Sequence, residues 1–346
     1  MKTAELEIKM YQSKLAEKET EKAIALLKSK FVSSLSNKLN LLKVEAPLIV
    51  QKGTGINDDL NGIENPVLVN AKCIPTEKIE IVHSLAKWKR LKLAKLGIEA
   101  GEGLYTDMRA LRPDEDFSEV HSIYVDQWDW EKTILAENRN LTYLKKIVTD
   151  IYSSIVETEE YITSKYSQLK SILPKEISFI HAEDLLAKYP LLSPKEREHA
   201  ITKERGAVFL IGIGGVLADG KKHDGRAPDY DDWVSETEGG KKGLNGDILV
   251  WNPILKKSFE ISSMGIRVSP ESLKKQLEIE GEEKRLELKW HRLLLNGELP
   301  YTIGGGIGQS RLAMLLLQKK HIGEVQSSIW PKELVEELKS QNIKLL

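Results

Sequence analysis

Three β-rich stretches follow one another late in the chain with no helical pattern between them. They begin at Ala207 (AVFLIGIGG), Gly246 (GDILVWNP) and Ser258 (SFEISSMGIRV), and each is bounded by glycine, proline or asparagine. The helical patterns lie outside this block and do not alternate with its strands. Strands clustered in this way, with helices inserted elsewhere, predict an α+β sheet and argue against repeated βαβ units.

The rest of the chain supplies helices and further strands. A helical pattern covers Thr3 to Leu41, and LLKVEAPLIVQ then predicts a strand interrupted by Pro47. NPVLVNAKCI and KIEIVHS flank a polar PTE and predict a hairpin, LAKWKRLKLAKLG a helix, and GEGLYTDMRALR and HSIYVDQWDWEK two extended segments. A long amphipathic helix begins at Leu141, SPKE from Ser193 has the order of a capping box, and RLELKWHRLLLNG predicts a charged helix. No repeat or linker interrupts residues 1–346, so we expect one domain.

The charge balance argues against a nucleic-acid partner. Lysine and arginine total 51 against 52 aspartates and glutamates, a net charge of −1, which provides no basic footprint for a polyphosphate chain. The single cysteine, Cys73, fits a reducing compartment. The first residues do not follow the basic-then-apolar order of a signal peptide, and no run approaches about 18 apolar residues. We therefore expect a cytoplasmic protein with no membrane partner.

A glycine cluster, TIGGGIGQSR, precedes a run of leucines near the end of the chain. Gly304, Gly305, Gly306 and Gly308 could expose backbone N–H groups to a phosphate, but the spacing matches neither a dinucleotide fingerprint nor a P-loop. A tight strand-to-helix turn is an equally good interpretation. Arg311 follows in the first turn of the predicted helix.

The second glycine stretch, GIGG from Gly212, leads into a polar loop and not a helix, which disfavours a nicotinamide site. That loop carries Asp229, Asp231 and Asp232. These carboxylates could bind a metal or ribose hydroxyls, but a solvated acidic turn is the favoured interpretation.

Two strand pairs carry charged residues suited to phosphate chemistry. Arg112 ends one predicted strand, and on the return strand, which also carries Asp126, the period of two places Gln127, Asp129 and Glu131 on one face. This pattern fits either an ion-pair network or a binding site, and we favour the binding site because sheet faces rarely bury unpaired charge. On the other pair, Glu260 and Arg267, with Asp247 nearby, suit Mg²⁺ and polyphosphate. The histidines form no metal or triad pattern.

Three blocks in fixed order resemble the signature motifs of class II aminoacyl-tRNA synthetases. LNLLKVEAPLIV is similar to motif 1, MRALRPDED with HSIYVDQWDWE to motif 2, and GGGIGQSRLAMLLL to motif 3. Over essentially the whole chain, blocks such as VHSLAKWKR, GIGG, RAPDYDDW and GLNGDILVWNP resemble the ammonia-dependent asparagine synthetases, or aspartate-ammonia ligases. The resemblance implies a class II synthetase-like antiparallel β-sheet flanked by helices. It also implies a single catalytic domain without an anticodon-binding domain, and a homodimer formed through motif 1.

The resemblance also implies a reaction. L-Aspartate, ATP and ammonia would give L-asparagine, AMP and pyrophosphate through a β-aspartyl adenylate, with Mg²⁺ as the metal. The implied catalytic residues are Asp58, Arg112 and Gln127, the implied metal ligands are Glu260 and Asp247, and the implied aspartate or ATP contacts are Lys89, Asp129, Asp231, Ser262, Ser263, Arg267 and Arg311. In GINDDLNG, alignment on the following leucine and glycine favours Asp58 over Asp59 as the residue that accepts a proton from ammonium.

Three other functions compete with this one. A glutamine-dependent synthetase would carry a cysteine at its mature N-terminus, whereas here Lys2 follows Met1. A tRNA-charging enzyme is opposed by the neutral charge and by the absence of spare length for an anticodon domain. A catalytically inactive regulator remains open, although the joint presence of Asp58, Arg112, Glu260 and Arg311 argues against it.

Overall fold

The fold is built on a large mixed sheet whose strands come from distant parts of the chain. The computed structural model describes residues 11–57, 60 and 64–346. Within these residues the sheet has eight strands: β1 (Leu41–Lys43), β5 (Gly103–Leu111), β6 (Tyr124–Thr133), β7 (Ser178–His181), β8 (Ala207–Ile211), β9 (Asn245–Asn252), β10 (Lys257–Ile266) and β11 (Thr302–Gly308). Their spatial order is β1-β5-β6-β11-β10-β9-β8-β7.

The direction of strand pairing changes at the two edges of the sheet. The six strands at the centre of the spatial order, β5-β6-β11-β10-β9-β8, pair antiparallel with their neighbours in this set. At the two edges, β1 pairs parallel to β5 and β7 pairs parallel to β8. Both parallel pairs join strands separated by long connections that contain helices, as parallel pairing requires. The α+β class is therefore confirmed, and the predicted antiparallel sheet is antiparallel at its centre and parallel at its edges.

Nine helices in the described residues surround this sheet. They are α1 (Glu17–Leu39), α2 (Ala86–Leu96), α3 (Leu141–Lys165), α4 (Ala182–Lys188), α5 (Pro194–Arg205), α6 (Pro270–Glu280), α7 (Lys289–Leu295), α8 (Gln309–Leu316) and α9 (Lys332–Ser340). None of them combines the length and the apolar composition that crossing a bilayer would require. A second, small sheet holds β2 (Ile49–Gln51), β4 (Ile79–Ile81) and β3 (Leu68–Val69) in that order.

The main hydrophobic core lies between α1, α3 and α8 and one face of the large sheet. Trp128 and Trp130 of β6 point into it, and Phe31 of α1 packs against Trp128 with ring centroids 4.6 Å apart. The apolar stripe that predicted α3 is buried there, including Ile147 and Ile151. Because strand side chains alternate between faces, the opposite face of β6 is left for polar residues.

Local predictions hold where short-range chemistry decides them. Ser193 caps α5, with Pro194 in the first turn and Glu196 completing the capping box. β3 and β4 form the predicted antiparallel pair, although residues 70–78 make their connection longer than PTE. RLELKWHRLLLNG divides into a 3₁₀ turn at Glu283–Glu287 and the α7 helix.

The first helix begins later than its pattern predicts. It starts at Glu17, and Thr3 to Met10 lie outside the described residues. Ahead of the helix, Ser13 accepts a hydrogen bond from buried Lys319 at 2.7 Å, and Lys14 donates to Gln318. These contacts with the far end of the chain hold residues 11–16 in a non-helical path.

Candidate active site

A cavity of about 460 Å³ opens on the polar face of the central strands. Nine of the catalytic, metal and substrate residues that the resemblance implies line it: Arg112, Gln127, Asp129, Asp231, Asp247, Glu260, Ser263, Arg267 and Arg311. Two others that the structure describes, Lys89 and Ser262, do not appear in its wall. Lys89 lies directly beneath it, Ser262 lies on the opposite face of the sheet, and Asp58 is outside the described residues, as is Asp59.

The alternation of β6 builds the floor of the cavity. Gln127, Asp129 and Glu131 share the polar face as predicted, while the tryptophans between them enter the core. On the neighbouring strand β11, Gly308, Gly306 and Gly304 stand opposite these three polar residues in register. The glycine cluster is therefore part of a strand, so neither the phosphate loop nor the strand-to-helix turn describes Gly304–Gly306.

Space for the β6 side chains explains why those positions are glycine. A β-carbon at Gly304 would collide with the Glu131 carboxylate, and one at Gly306 would lie 2.9 Å from Cδ of Gln127. Contacts below 3.0 Å force a neighbour to move. The glycines thus let charged and amide side chains lie flat across the strand beside them.

A buried ion-pair network crosses the floor. Arg267 donates from Nε to both oxygens of Glu131 at 3.1 Å and from Nη2 at 2.9 Å, and it also pairs with Asp231. Thr302 donates to Glu131 at 2.7 Å. Burial alone would raise the pKa of Glu131, but the charges of Arg267 and Lys89 outweigh it and hold that pKa below its usual range.

Lys89 supports the same network from below. Its ammonium group pairs with Asp129, donates to the Gly305 carbonyl at 3.3 Å and lies 3.8 Å from Glu131. Burial lowers the pKa of Lys89, and the two carboxylates only partly oppose that effect. The carboxylates of Asp129 and Glu131 thus favour the charged form of an amine whose charge burial disfavours.

Positive charge converges from two walls of the cavity. Arg112, just after β5, donates to the His83 carbonyl at 3.4 Å, and Arg311 of α8 lies 3.5 Å from the Glu260 carboxylate. His121 lines the same cavity as both arginines, and burial, followed by the charges of Arg311 and Arg112, lowers the pKa of its imidazole to about 4. This arrangement can neutralise an anion placed between the two arginines.

The Asp247 and Glu260 carboxylates fit a magnesium site. Asp247 stands opposite Ser263 in the β9–β10 register, and Ser263 donates to Glu260 at 3.3 Å. Burial and the nearby Glu260 charge raise the pKa of Asp247 to about 6, against the opposing effect of Arg226. A divalent cation would relieve this repulsion. Mg²⁺ characteristically uses one or two carboxylates plus substrate phosphates, and in the described residues no set of three or more metal-binding side chains forms a closed cage.

Arg226 was not assigned a role from the sequence, although RAPDYDDW contains it. Its Nη2 donates to Asp247 at 2.5 Å, its Nε lies 3.5 Å from Asp231, and it lines the cavity. It therefore links the Asp247–Glu260 carboxylate pair to the Arg267 network. The sequence feature that could have identified Arg226 is its position in the same short block as Asp231, RAPDYDDW.

The acidic loop differs most from its expected environment. Asp229, Asp231 and Asp232 are all buried, so the solvated-turn interpretation is wrong. Asp229 pairs with Lys87 at 2.9 Å and Asp232 with Arg139 at 2.5 Å, while Asp231 joins Arg267. Long-range partners from α2, from the residue directly after β10 and from the segment before α3 compensate these charges.

The two predicted serines separate because a strand alternates. Ser263 faces the cavity, whereas Ser262 is paired with Ile307 and Ile248 on the core side. Ser262 is buried at that position. This placement gives it no path to a ligand in the cavity, so the expectation of substrate contact is dropped for Ser262.

Comparisons with known proteins agree with this architecture. The family model described as AsnA, aspartate-ammonia ligase, matches residues 18–342. Similar solved structures include the asparaginyl-tRNA synthetase of Pyrococcus horikoshii complexed with asparaginyl-adenylate (TM-score 0.67, 15% identity), that of Entamoeba histolytica in complex with the same adenylate (0.64, 12%) and the E. histolytica aspartyl-tRNA synthetase (0.60, 14%). They match over 90%, 90% and 89% of this chain and over 70%, 66% and 58% of theirs. At these identities the likeness establishes a shared class II synthetase fold.

Proposed function

The chain belongs to the aspartate-ammonia ligase family, and we propose that its cavity activates L-aspartate with ATP and transfers the acyl group to ammonia. The family makes the protein an enzyme, a ligase of asparagine biosynthesis. The observation that carries the proposal is the meeting of Arg112, Arg311 and the Asp247–Glu260 pair around one cavity.

The first step needs charge neutralisation. An oxygen of the β-carboxylate of aspartate would attack the α-phosphorus of ATP, forming the β-aspartyl adenylate while pyrophosphate leaves. Both reactants are anions, so Arg112 and Arg311 would stabilise the charge that develops at the phosphates. Asp247 and Glu260 would hold Mg²⁺, which supplies further positive charge when bound. Gln127 would orient aspartate beside Asp129.

The network around Arg267 supports recognition of the amino acid. Arg267, Asp231 and Asp129 present both signs of charge to the cavity, as a zwitterionic substrate requires. Lys89 and Glu131 lie behind these groups and hold them by ion pairs, and Ser263 borders the metal side. Preorganised groups of this kind cost no rearrangement when the substrate arrives.

The second step is attack by ammonia. Its nitrogen would add to the activated carbonyl carbon and AMP would leave, while a carboxylate removes the proton that ammonium must lose. We propose Asp58 for this role on the motif resemblance. Leu60 and Glu64, which follow it in the chain, line the cavity.

A coupled assay tests this function. With aspartate, MgATP and ammonium, we expect asparagine, AMP and pyrophosphate in equal amounts, lower output with glutamine as donor, and no reaction when EDTA removes the metal. ADP as the product, or dependence on added tRNA, would contradict the proposal. Absence of turnover with retained ATP binding would favour an inactive regulator.

We also propose a cytoplasmic homodimer that works as a single catalytic domain and binds no nucleic acid. The single Cys73 is a free thiol, which suits a reducing compartment. Four apolar side chains in or near the first strands are about half exposed: Leu42, Leu48, Ile49 and Leu68. Leu42, Leu48 and Ile49 belong to the motif 1 block, and exposed apolar groups there are suited to burial against a second copy.

A further inference from the structure

Asp126 is a residue of β6 whose side chain is neither part of the polar cavity floor nor part of the hydrophobic core. Strand alternation directs it away from Gln127 and Asp129, toward the helices that cover the other face. It is 8% exposed and reaches the edge of the cavity wall. A buried carboxylate in this position requires partners, and it has them on three separate segments.

The first partner is the start of α8. Gly308 is the N-cap residue of this helix and offers no side chain, so the first turn lacks a local cap. Asp126 accepts a hydrogen bond from the Ser310 backbone N–H at 3.1 Å through Oδ1. A carboxylate at a helix N-terminus satisfies an unpaired donor and complements the helix dipole.

The other partners hold Asp126 in place. Lys28 of α1 donates to Oδ2 at 3.2 Å. Gln326 lies 3.4 Å from Oδ1 and donates to the Ser310 hydroxyl at 3.1 Å, while Ser122 donates to Gln326 at 2.5 Å. The Asp126 carboxylate is thus held by α1, by α8 and by the segment after α8 that carries Gln326.

This geometry bears on Arg311, the residue that follows Ser310. The direction of the Arg311 side chain depends on where the first turn of α8 lies. We propose that Asp126 is a positioning residue: it supplies from β6 the cap that α8 lacks and so aims Arg311 into the cavity, and Lys28 couples this cap to α1. The inference rests on the proposed role of Arg311 in ATP binding.

A double-mutant cycle tests it. MgATP affinity by calorimetry and kcat/KM for ATP are measured for wild type, Asp126→Ala, Arg311→Ala and the double variant. We expect Asp126→Ala to weaken ATP binding about tenfold, the size of one lost helix cap, and Asp126→Asn, which keeps an acceptor oxygen, to recover most of it. In the Arg311→Ala background, Asp126→Ala should cost less than about twofold, because nothing remains to be aimed.

Asn140→Ala is the matched control, because it removes the side-chain cap of α3 away from the cavity. It should lower thermal stability without changing ATP affinity. Equal losses from Asp126→Ala in both backgrounds would overturn the inference, since Asp126 would then act directly or through the whole fold. Normal ATP affinity in Arg311→Ala would overturn it as well. ATP affinity is measured without turnover, so an inactive enzyme would contradict the proposed function while the double-mutant cycle could still be completed from the affinities. If Asp126→Ala does not fold, Asp126→Asn takes its place in the cycle.

Discussion

At the scale of single residues, the site depends on what glycine leaves out. Because Gly304 and Gly306 have no β-carbon, the side chains of Glu131 and Gln127 on the neighbouring strand can lie across them. Glycine weakens a strand in general, so two such positions in the middle of a sheet need a reason of this kind. Here the reason is space for Gln127, which lines the cavity, and for Glu131, which lies behind the cavity wall and pairs with Arg267.

Replacing Gly306 by alanine should displace the Gln127 amide and lower kcat/KM for aspartate by at least about tenfold, because misplaced orienting groups slow the reaction strongly. The KM for ATP should change little. Gly215→Ala is the control, since its new β-carbon would meet only ordinary contacts at 3.5 Å or beyond. A selective rise in the ATP KM would instead indicate that Gly306 makes room for the nucleotide.

Arg112→Ala should lower kcat by at least about a hundredfold, on the scale of losing one preorganised donor to a developing negative charge. Initial rates of AMP release at saturating substrates provide the measurement. Arg292→Ala, an exposed arginine on α7, should keep the wild-type rate. A folded Arg112→Ala enzyme with a near-normal rate would mean that the attacking carboxylate and phosphate are neutralised elsewhere.

At the scale of elements, buried charge joins helices that the chain keeps far apart. Asp229 receives Lys87 of α2 at 2.9 Å, His291 of α7 at 3.0 Å and Arg285 at 3.3 Å. Burial opposes the charged form of Asp229, but the Lys87, His291 and Arg285 groups prevail and hold its pKa far below its ordinary 3.8. This cluster fixes the loop that also carries Asp231.

The depressed pKa has a definite sign for stability. A carboxyl group whose folded pKa is lowered stabilises the fold above its unfolded pKa, and this contribution is lost as pH falls below about 4. Asp229→Asn should therefore reduce the free energy of unfolding by about 3 kcal/mol at pH 7, where it leaves buried cations uncompensated. The difference from wild type should narrow as pH falls from 4 to 3.

Urea unfolding at several pH values measures this difference. Glu204→Gln, which removes an exposed partner of Lys188, is the control and should unfold like wild type throughout. A gap between Asp229→Asn and wild type that stays constant down to pH 3 would mean that shape, and not charge, makes Asp229 necessary.

At the scale of the whole molecule, the first strands present apolar surface that the described part of the chain does not cover. Leu48 is 53% exposed and Ile49, the first residue of β2, is 45% exposed, and both belong to the motif 1 block. Scattered exposed leucines are ordinary, but several in one region are typical of interfaces. This observation supports the homodimer and makes it testable.

Leu48→Glu should shift the protein from dimer to monomer, because burying a carboxylate in an interface without a partner is costly. Light scattering after size exclusion reports the mass. Leu191→Glu, at a leucine that is 97% exposed, should leave the mass unchanged. A wild-type protein of monomer mass at micromolar concentration would refute the proposed homodimer.

Much of this protein was readable from local patterns. The period of two on β6 placed Gln127, Asp129 and Glu131 on one face, and the order of Ser193, Pro194 and Glu196 predicted the start of α5. These features depend on residues within one turn or one strand, so a single segment encodes them. The motif order also indicated the cavity that most of the predicted residues line.

Tertiary structure alone decided which charges neutralise one another. From the sequence, the three aspartates of the acidic loop were expected to be solvated. In the folded chain they are buried and form ion pairs with Lys87, Arg139 and Arg267, which come from distant segments. Likewise, the period of two left Asp126 off the binding face without indicating its partners, and the glycines of β11 were interpreted as either a phosphate loop or a turn. The roles of these residues depend on side chains that lie close to them only in the folded chain. The sequence by itself determined the local helices and strands. It did not determine which charged or bulky side chains meet, because electrostatic and steric interactions depend on distances that only the tertiary structure sets.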